Sequence, residues 1–449
     1  MSRSSARVPG REAASDSGTA PGTKAASSGA AASARVAPDP AVTQRASHLV
    51  VGVVGAGTMG AGIAQAALAA GHDVLLHDAD PAALPRARKR IAAGLTRLVD
   101  RGRLSVAERS AALAALRDAP NLEHLAAGAD LVIEAALEDL ALKRSIFRVL
   151  DMHSLPDVPL ATNTSSLSVA AIAEATHHRE RVLGLHFFNP APVMPLVEVV
   201  AAEGTARAVI EAGMAFATGL GKMPVLCSDS PGFIVNRVNR AFTLEPLRML
   251  AAGQVGIERI DLAIEAAGYP MGPFRLMDLV GIDVSLAVTR SLYEAFDAAG
   301  RFRPSPIQEA MAAAGRLGRK TGHGFYRYAE DGASEGEERP AGLPSGLADH
   351  AGPDGPAAHP LDAADIVERV ELAIVNEAYC AVGDGVASPG DVDLALKLGA
   401  GHPMGPFERA GEMGLRHVVE RLRRLTEKAG PGSGDQYEVA RTLWQMATV

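Results

Sequence analysis

The chain has 449 residues, 47% of them hydrophobic, enough for two or three domains with sizeable cores. A formal net charge of −8 argues against a general nucleic-acid binder, and no apolar stretch approaches the length of a membrane span. The two cysteines, Cys227 and Cys380, offer neither metal spacing nor a disulfide framework, so no metal is expected and the expected compartment is a reducing cytoplasm.

Residues 1–47 are mostly Ala, Ser, Gly, Pro and Arg and are expected to form a disordered tail, since they cannot bury enough surface to offset ordering. The tail lacks the apolar core of a signal peptide. Glu12, Asp16 and Asp39 count against an organellar transit peptide.

The next thirty residues carry the organising pattern. An apolar run, residues 49–54, predicts a buried strand and leads into Gly55-Ala56-Gly57-Thr58-Met59-Gly60, a complete G-x-G-x-x-G. A small-residue helix over 61–70 follows, stopped by Gly71, and a second strand, Val74-Leu75-Leu76, ends at His77-Asp78. Gly55 permits the tight turn, Gly57 lets backbone approach a pyrophosphate, and Gly60 lets the helix pack on the strand. The helix N-terminus offers free N–H groups and a positive dipole end to phosphates. Asp78 lies 23 residues past Gly55, placed to accept the ribose hydroxyls of NAD and to repel the 2′-phosphate of NADP. Strand, turn, helix and acid in register predict a dinucleotide site.

After Asp78 the chain turns basic. Arg86, Arg88, Lys89, Arg90, Arg97, Arg101 and Arg103 stand against one acid, Asp100, which fits a polyanionic ligand such as a coenzyme A nucleotide and fits a solvated helix face equally. A helix is predicted over 106–116, a strand at Leu131-Val132-Ile133-Glu134, and a helix over 138–150. Leu160-Ala161-Thr162 ends in Asn163-Thr164-Ser165-Ser166, a polar strand end of the kind that meets ligands in doubly wound sheets.

A strand over 181–187 then ends in His186-Phe187-Phe188-Asn189-Pro190, followed by Leu196-Val197-Glu198-Val199-Val200. A histidine at a strand end is compatible with a satisfied core residue or with a general base. Glu198, a carboxylate in an apolar strand, needs a partner, and His186 is the candidate.

Composition changes at Ser228-Asp229-Ser230-Pro231-Gly232, where Asp229 or Ser230 can cap an amphipathic helix running to about Ala252. Helices over 257–267 and 278–299 follow, and residues 329–360 read as a linker. Beyond it the helical region repeats. Ile234-Val235-Asn236-Arg237-Val238 aligns with Ile366-Val367-Glu368-Arg369-Val370, Glu245 with Glu377, and Pro270-Met271-Gly272-Pro273-Phe274 recurs as Pro403-Met404-Gly405-Pro406-Phe407. This is an internal duplication.

With these motifs in view the chain resembles the L-3-hydroxyacyl-CoA dehydrogenase family. The resemblance runs over residues 48–328, and residues 361–449 resemble a second copy of that family's C-terminal domain. Its motifs are the glycine fingerprint, residues 163–167, His186-Phe187-Phe188-Asn189-Pro190, residues 231–237 and Gly322-His323-Gly324-Phe325-Tyr326. The resemblance implies a Rossmann-type doubly wound α/β domain (48–228), a helical domain forming the substrate cleft (229–328), a linker (329–360) and a degenerate second helical domain (361–449). It implies His186 as catalytic base, Glu198 as the carboxylate orienting it, and Ser165 and Asn236 as contacts to the reacting oxygen and the histidine. It implies NAD contacts at Gly55, Gly57, Thr58, Met59, Gly60, Asp78, Glu138, Lys143, Asn163, Asn189 and Lys320.

The implied substrate is an acyl-CoA, with Ser165, Asn236 and Arg101 as contacts. Arg101 replaces a lysine of the family and Gly94 a serine, and Pro195 stands where many members have lysine. Acyl chain length is left open: short-chain relatives and 3-hydroxyadipyl-CoA enzymes both carry a duplicated tail, and the latter need a cation that no motif marks. A non-catalytic NAD-binding relative is the alternative, disfavoured by retention of Ser165, His186, Glu198 and Asn236. Glu368 replaces Asn236 in the repeat and no second glycine fingerprint precedes it, so the repeat is expected to pack on the first copy as an internal pseudo-dimer, the whole chain being a monomer or a homodimer.

Overall fold

The computed structural model describes residues 48–329, 334–337, 361–429 and 434–448. The expected disordered tail and most of the expected linker lie outside the described residues.

Eight strands form one sheet: β1 (Val50–Val54), β2 (Asp73–His77), β3 (Leu116–Asp118), β4 (Leu131–Glu134), β5 (Leu160–Thr162), β6 (Val182–Phe187), β7 (Leu196–Ala201) and β8 (Met223–Ser228). Their order is 3-2-1-4-5-6-7-8, and all neighbours are parallel except β6 and β7. The first six strands have the order of a dinucleotide-binding fold, whose ligand crevice lies at the strands' carboxyl ends where the order reverses. Around the sheet lie α1 (Thr58–Ala69), α2 (Ala83–Asp100), α3 (Val106–Ala114), α4 (Leu122–Gly128), α5 (Leu140–His153), α6 (Val169–Ala173) and α7 (Arg207–Gly219). Side chains alternate across each strand. Val51 and Val53 join the core under α1 and α2, while Val54 and Val132 join Phe147 and Leu150 of α5 on the other face.

The helical part comprises α8 (Val235–Val238), α9 (Arg240–Ala251), α10 (Ile257–Ala266), α11 (Pro273–Val280), α12 (Ile282–Ala295) and α13 (Pro306–Ala313). After the linker come α14 (Ala363–Gly383), α15 (Pro389–Gly399), α16 (Pro406–Met413), α17 (Leu415–Ala429) and α18 (Arg441–Thr448). The repeated Pro-Met-Gly-Pro-Phe has one physical job in both copies. Asp261 accepts the Phe274 and Arg275 N–H groups at the start of α11, and Asp393 accepts those of Phe407 and Glu408 at the start of α16. A Cβ at Gly272 would fall 2.3 Å from the Asp261 carboxyl carbon, and one at Gly405 2.3 Å from that of Asp393. Only glycine admits the buried acid to the helix end.

The two copies meet reciprocally. Arg237 Nε donates to Glu377 Oε1 at 2.7 Å, and Arg369 Nε to Glu245 Oε1 at 2.5 Å. Gly268 lies against Pro403 and Gly401 against Pro270. These are the same sequence positions exchanged, the signature of a self-complementary contact.

Several predicted elements change. The helix expected over 106–116 ends at Ala114, and Leu116–Asp118 pairs with β2 as an edge strand. The helix expected from Pro231 starts only at Val235, because Gly232 and Phe233 take positive φ of 74° and 48°. Asp229 does not cap it; its carboxylate accepts from Val169 and Ala170 at the start of α6 and from the Ser168 hydroxyl. The helix expected over 278–299 is two, α11 and α12, broken at Gly281 with φ 106°. Within the expected linker, residues 334–337 pair antiparallel with Tyr326–Tyr328.

Candidate active site

At the end of β1 the chain turns at Gly55, φ 99°, where an added Cβ would meet the Ala135 carbonyl oxygen at 2.6 Å. At Gly60 a Cβ would fall 1.8 Å from the Gly55 carbonyl oxygen, so helix and turn touch through glycine alone. Gly57 has nothing within 4 Å of that position, and no side chain caps α1. The loop therefore presents open space to an uncapped helix N-terminus, beside exposed Thr58 and half-buried Met59. Asp78 closes the far side: Oδ2 accepts the Ala56 N–H at 2.6 Å and Oδ1 the Asp80 N–H. These residues fit a dinucleotide pyrophosphate and ribose.

Across the switch point, Lys143 is 1% exposed and bonds Glu134 Oε1 at 2.7 Å, with Glu138 Oε2 at 3.4 Å. Glu138 also accepts the Thr164 hydroxyl, the Ser165 and Ser166 N–H groups and the Ser166 hydroxyl. Burial raises its pKa, but the Thr164 hydroxyl, the Lys143 charge and the Ser165 and Ser166 donors outweigh that, so it lies below the usual carboxylate range. The loop after β5 is thereby tied to the start of α5. Asn163 Oδ1 accepts the Phe187 N–H at 2.9 Å, which aligns the ends of β5 and β6.

His186, on β6, faces Glu198 directly across the antiparallel pairing with β7. Its Nδ1 lies 2.6 Å from Glu198 Oε2, and both residues are buried. Glu198 Oε1 accepts the Ile234 and Val235 N–H groups at 3.0 and 2.9 Å, and the left-handed turn at Gly232-Phe233 is what aims those amides at it. One carboxylate thus binds the histidine and the start of the helical region together. The Phe188 and Phe233 rings flank His186 at 4.6 and 5.6 Å. Asn236 Nδ2 reaches the Ser165 carbonyl at 3.4 Å, bridging the sheet's carboxyl edge and α8.

The structure brings together Ser165 with Asn236 and His186 with Glu198, next to Asn163 and Glu138. Asn189 is exposed and joined to Pro190 by a cis bond. Arg101 and Lys320 make no hydrogen bond or ion pair with this group among the described residues. Arg101 is exposed at the end of α2, and Lys320 pairs with Asp283 at 2.5 Å. The absent hydroxyl at Gly94 has a local reason: a Cβ there would fall 1.8 Å from the Gln65 side-chain oxygen, so Gln65 fills that space. Sequence reasoning missed Glu134, wholly buried under Lys143, the Thr162 hydroxyl and the Ala136 N–H. Its signal was an acid ending the apolar run Leu131-Val132-Ile133, the same signal that exposed Glu198.

Comparison with known families places this geometry. Residues 50–230 match the model described as 3-hydroxyacyl-CoA dehydrogenase, NAD binding domain, and residues 232–328 and 366–448 both match 3-hydroxyacyl-CoA dehydrogenase, C-terminal domain. The chain belongs to the 3-hydroxyacyl-CoA dehydrogenase family. It is an NAD-dependent oxidoreductase acting on 3-hydroxyacyl-CoA. Among similar proteins, the 3-hydroxyadipyl-CoA dehydrogenase of Escherichia coli is 37% identical over 447 residues, covering 85% of this chain and 94% of that one. A 3-hydroxybutyryl-CoA dehydrogenase of Mycobacterium tuberculosis is 43% identical over 281 residues, 62% of this chain and 98% of its own length. The crystal structure of 3-hydroxybutyryl-CoA dehydrogenase from Escherichia coli K12 superposes with a TM-score of 0.79 at 36% identity, covering 89% of this chain and 98% of that one. No described helix is long and apolar enough to cross a membrane.

Proposed function

We propose that His186 is the base that takes the proton of the 3-hydroxyl as an L-3-hydroxyacyl-CoA is oxidised, with Glu198 fixing its tautomer. The observation that carries this is the buried Nδ1–Glu198 contact of 2.6 Å. With Nδ1–H donating to the carboxylate, Nε2 is left as the basic nitrogen. When bound, NAD supplies the acceptor for the hydride leaving C3. The hydroxyl proton passes to Nε2 as the C3 carbonyl forms, and Glu198 stabilises the imidazolium until its proton returns to solvent. Asn236 and Ser165 hydrogen-bond the reacting oxygen, held in place before reaction by the Asn236–Ser165 bridge. Exclusion of water follows from Phe188 and Phe233 around the imidazole.

On this reading Gly55 to Gly60 and Asp78 hold the cofactor with Glu138, Lys143, Asn163, Asn189 and Lys320, and the exposed cations Arg97, Arg101 and Arg103 meet the coenzyme A phosphates. Residues 229–328 and 361–449 act as an internal pseudo-dimer, which the exchanged Arg237–Glu377 and Arg369–Glu245 pairs support. Two free cysteines, Cys227 buried and Cys380 half-buried, fit work in the cytoplasm, in acyl-CoA breakdown such as β-oxidation. The test is NADH consumption with acetoacetyl-CoA against free acetoacetate. Turnover of the thioester alone is expected. Equal turnover of the free acid would make the enzyme a general 3-hydroxyacid dehydrogenase, and none with either would favour the non-catalytic relative.

A further inference from the structure

Three arginines are buried among the described residues. Arg181 pairs with Asp151 at 2.8 Å, and Arg237 with Glu377 and Asp384 at 2.7 and 2.6 Å. Arg240, 8% exposed, pairs with no acid among the described residues. Its three hydrogen bonds all leave from Nη1, to Ser285 O, Ser285 Oγ and Thr289 Oγ1 on α12, at 3.2–3.5 Å. Its Nε is buried without a partner, and so is Oε1 of Gln308, whose Nε2 donates to the same Ser285 Oγ. Burial lowers the Arg240 pKa to about 10, so the guanidinium stays charged at neutral pH. A buried cation with weak, neutral partners costs stability until an anion meets it.

Its position says which anion. Arg240 follows Asn236 by four residues across the junction of α8 and α9, where Asn239 has φ −71° and ψ −5°. In chain length that is about one helical turn, on the order of 6 Å of rise. Asn236 is the residue assigned above to the reacting oxygen on C3.

We propose that Arg240 is the specificity residue for a substrate whose acyl chain ends in a second carboxylate. The inference rests on the proposed placement of Asn236 beside C3. In a six-carbon dicarboxylyl thioester the distal carboxylate lies three carbon–carbon bonds beyond C3, which brings it toward Arg240 when C3 sits beside Asn236. It would take both the orphaned Nε and an Nη donor in the forked geometry that a guanidinium offers a carboxylate. Ser285 and Thr289 already hold Nη1.

The experiment compares 3-hydroxyadipyl-CoA with 3-hydroxyhexanoyl-CoA, the same skeleton with methyl in place of carboxylate. The wild-type enzyme is expected to favour the dicarboxylyl substrate in kcat/KM. In Arg240→Leu that preference should fall by about 10²-fold, because a site built for a polar group discriminates strongly by it. The loss should fall mainly on KM for the dicarboxylyl substrate, and Arg240→Lys should recover part of it by keeping the charge without the fork. Equal loss with both substrates would assign Arg240 to holding α9 on α12 and overturn the proposal. Should Arg240→Leu fail to fold, inhibition of the wild-type enzyme decides. Adipyl-CoA at least about tenfold tighter than hexanoyl-CoA supports the assignment, and equal inhibition overturns it. Turnover of 3-hydroxyhexanoyl-CoA without a carboxylate preference refutes this inference alone, whereas inactivity with every thioester refutes the proposed function as well.

Discussion

Glu198 Oε2 lies 2.6 Å from Nδ1 of His186, the residue directly opposite it in the antiparallel β6–β7 ladder. Pairing across a ladder fixes the contact without a loop, so the imidazole is oriented before any ligand arrives. Replacing His186 by Ala should reduce turnover about 10²–10⁴-fold, the worth of a positioned acid–base group, with little change in KM for NADH. Glu198→Gln should also lower kcat strongly, since an amide can present its NH₂ to Nδ1 and favour the wrong tautomer. Steady-state kinetics with acetoacetyl-CoA measure both. Near-wild-type kcat in a folded His186→Ala protein would remove His186 from the mechanism.

On the proposed reading Asp78 sets cofactor choice. Its carboxylate is held beside the glycine loop by the Ala56 N–H, where a 2′-phosphate would meet a like charge. The enzyme should prefer NAD to NADP in kcat/KM, and Asp78→Ser should narrow that preference by about tenfold or more. A wild-type preference for NADP would mean that the acid does not face the ribose.

How much of this was legible depends on the range of the interaction. The glycine turn and Asp78 were readable because strand, turn and helix are adjacent in sequence. Glu198 was readable because an acid in an apolar run has to be paired. The turn at Phe233 was not, since its φ of 48° is held by packing and by the Glu198 bonds to Ile234 and Val235 rather than by local preference. Strand β3 was lost because its three residues continue a helical pattern and become a strand only against β2. Arg240 belongs to no motif, and only tertiary packing against Ser285 and Thr289 reveals it as a buried cation.

The second helical copy covers a surface the first cannot leave bare. Arg237 is wholly buried, and Glu377 is one of its two acids. Truncation after Tyr328 removes both acids and strips α14 from α9 and α10. The shortened chain should dimerise through that face or aggregate, as light scattering would show. In the intact chain Glu245→Ala leaves Arg369 without its acid and should cost about 3–5 kcal/mol, seen as a lower Tm. A truncated chain that stays a soluble, fully active monomer would refute the pseudo-dimer.

His402 makes the contact between copies sensitive to acid. Its ring, 6% exposed, packs against Tyr269 at 5.1 Å, and Nε2 lies 2.8 Å from Asn239 Oδ1 on the other copy. Burial lowers its pKa from 6.5 to about 4, because a charged imidazolium would lose its hydration there. Between those values the unfolded chain binds the proton and the folded chain does not, so stability is complete above about pH 6.5 and declines as pH falls. The span from 6.5 to about 4 corresponds to a loss of about 3 kcal/mol at the acid end. Urea unfolding between pH 7 and pH 4 should show that decline, superimposed on the general titration of carboxylates. In His402→Gln, which keeps a donor for Asn239 and cannot take up a proton, the part of the slope between pH 6.5 and pH 5 should flatten. An unchanged slope in that variant would mean that His402 is already protonated in the folded protein, or exposed enough to titrate alike in both states.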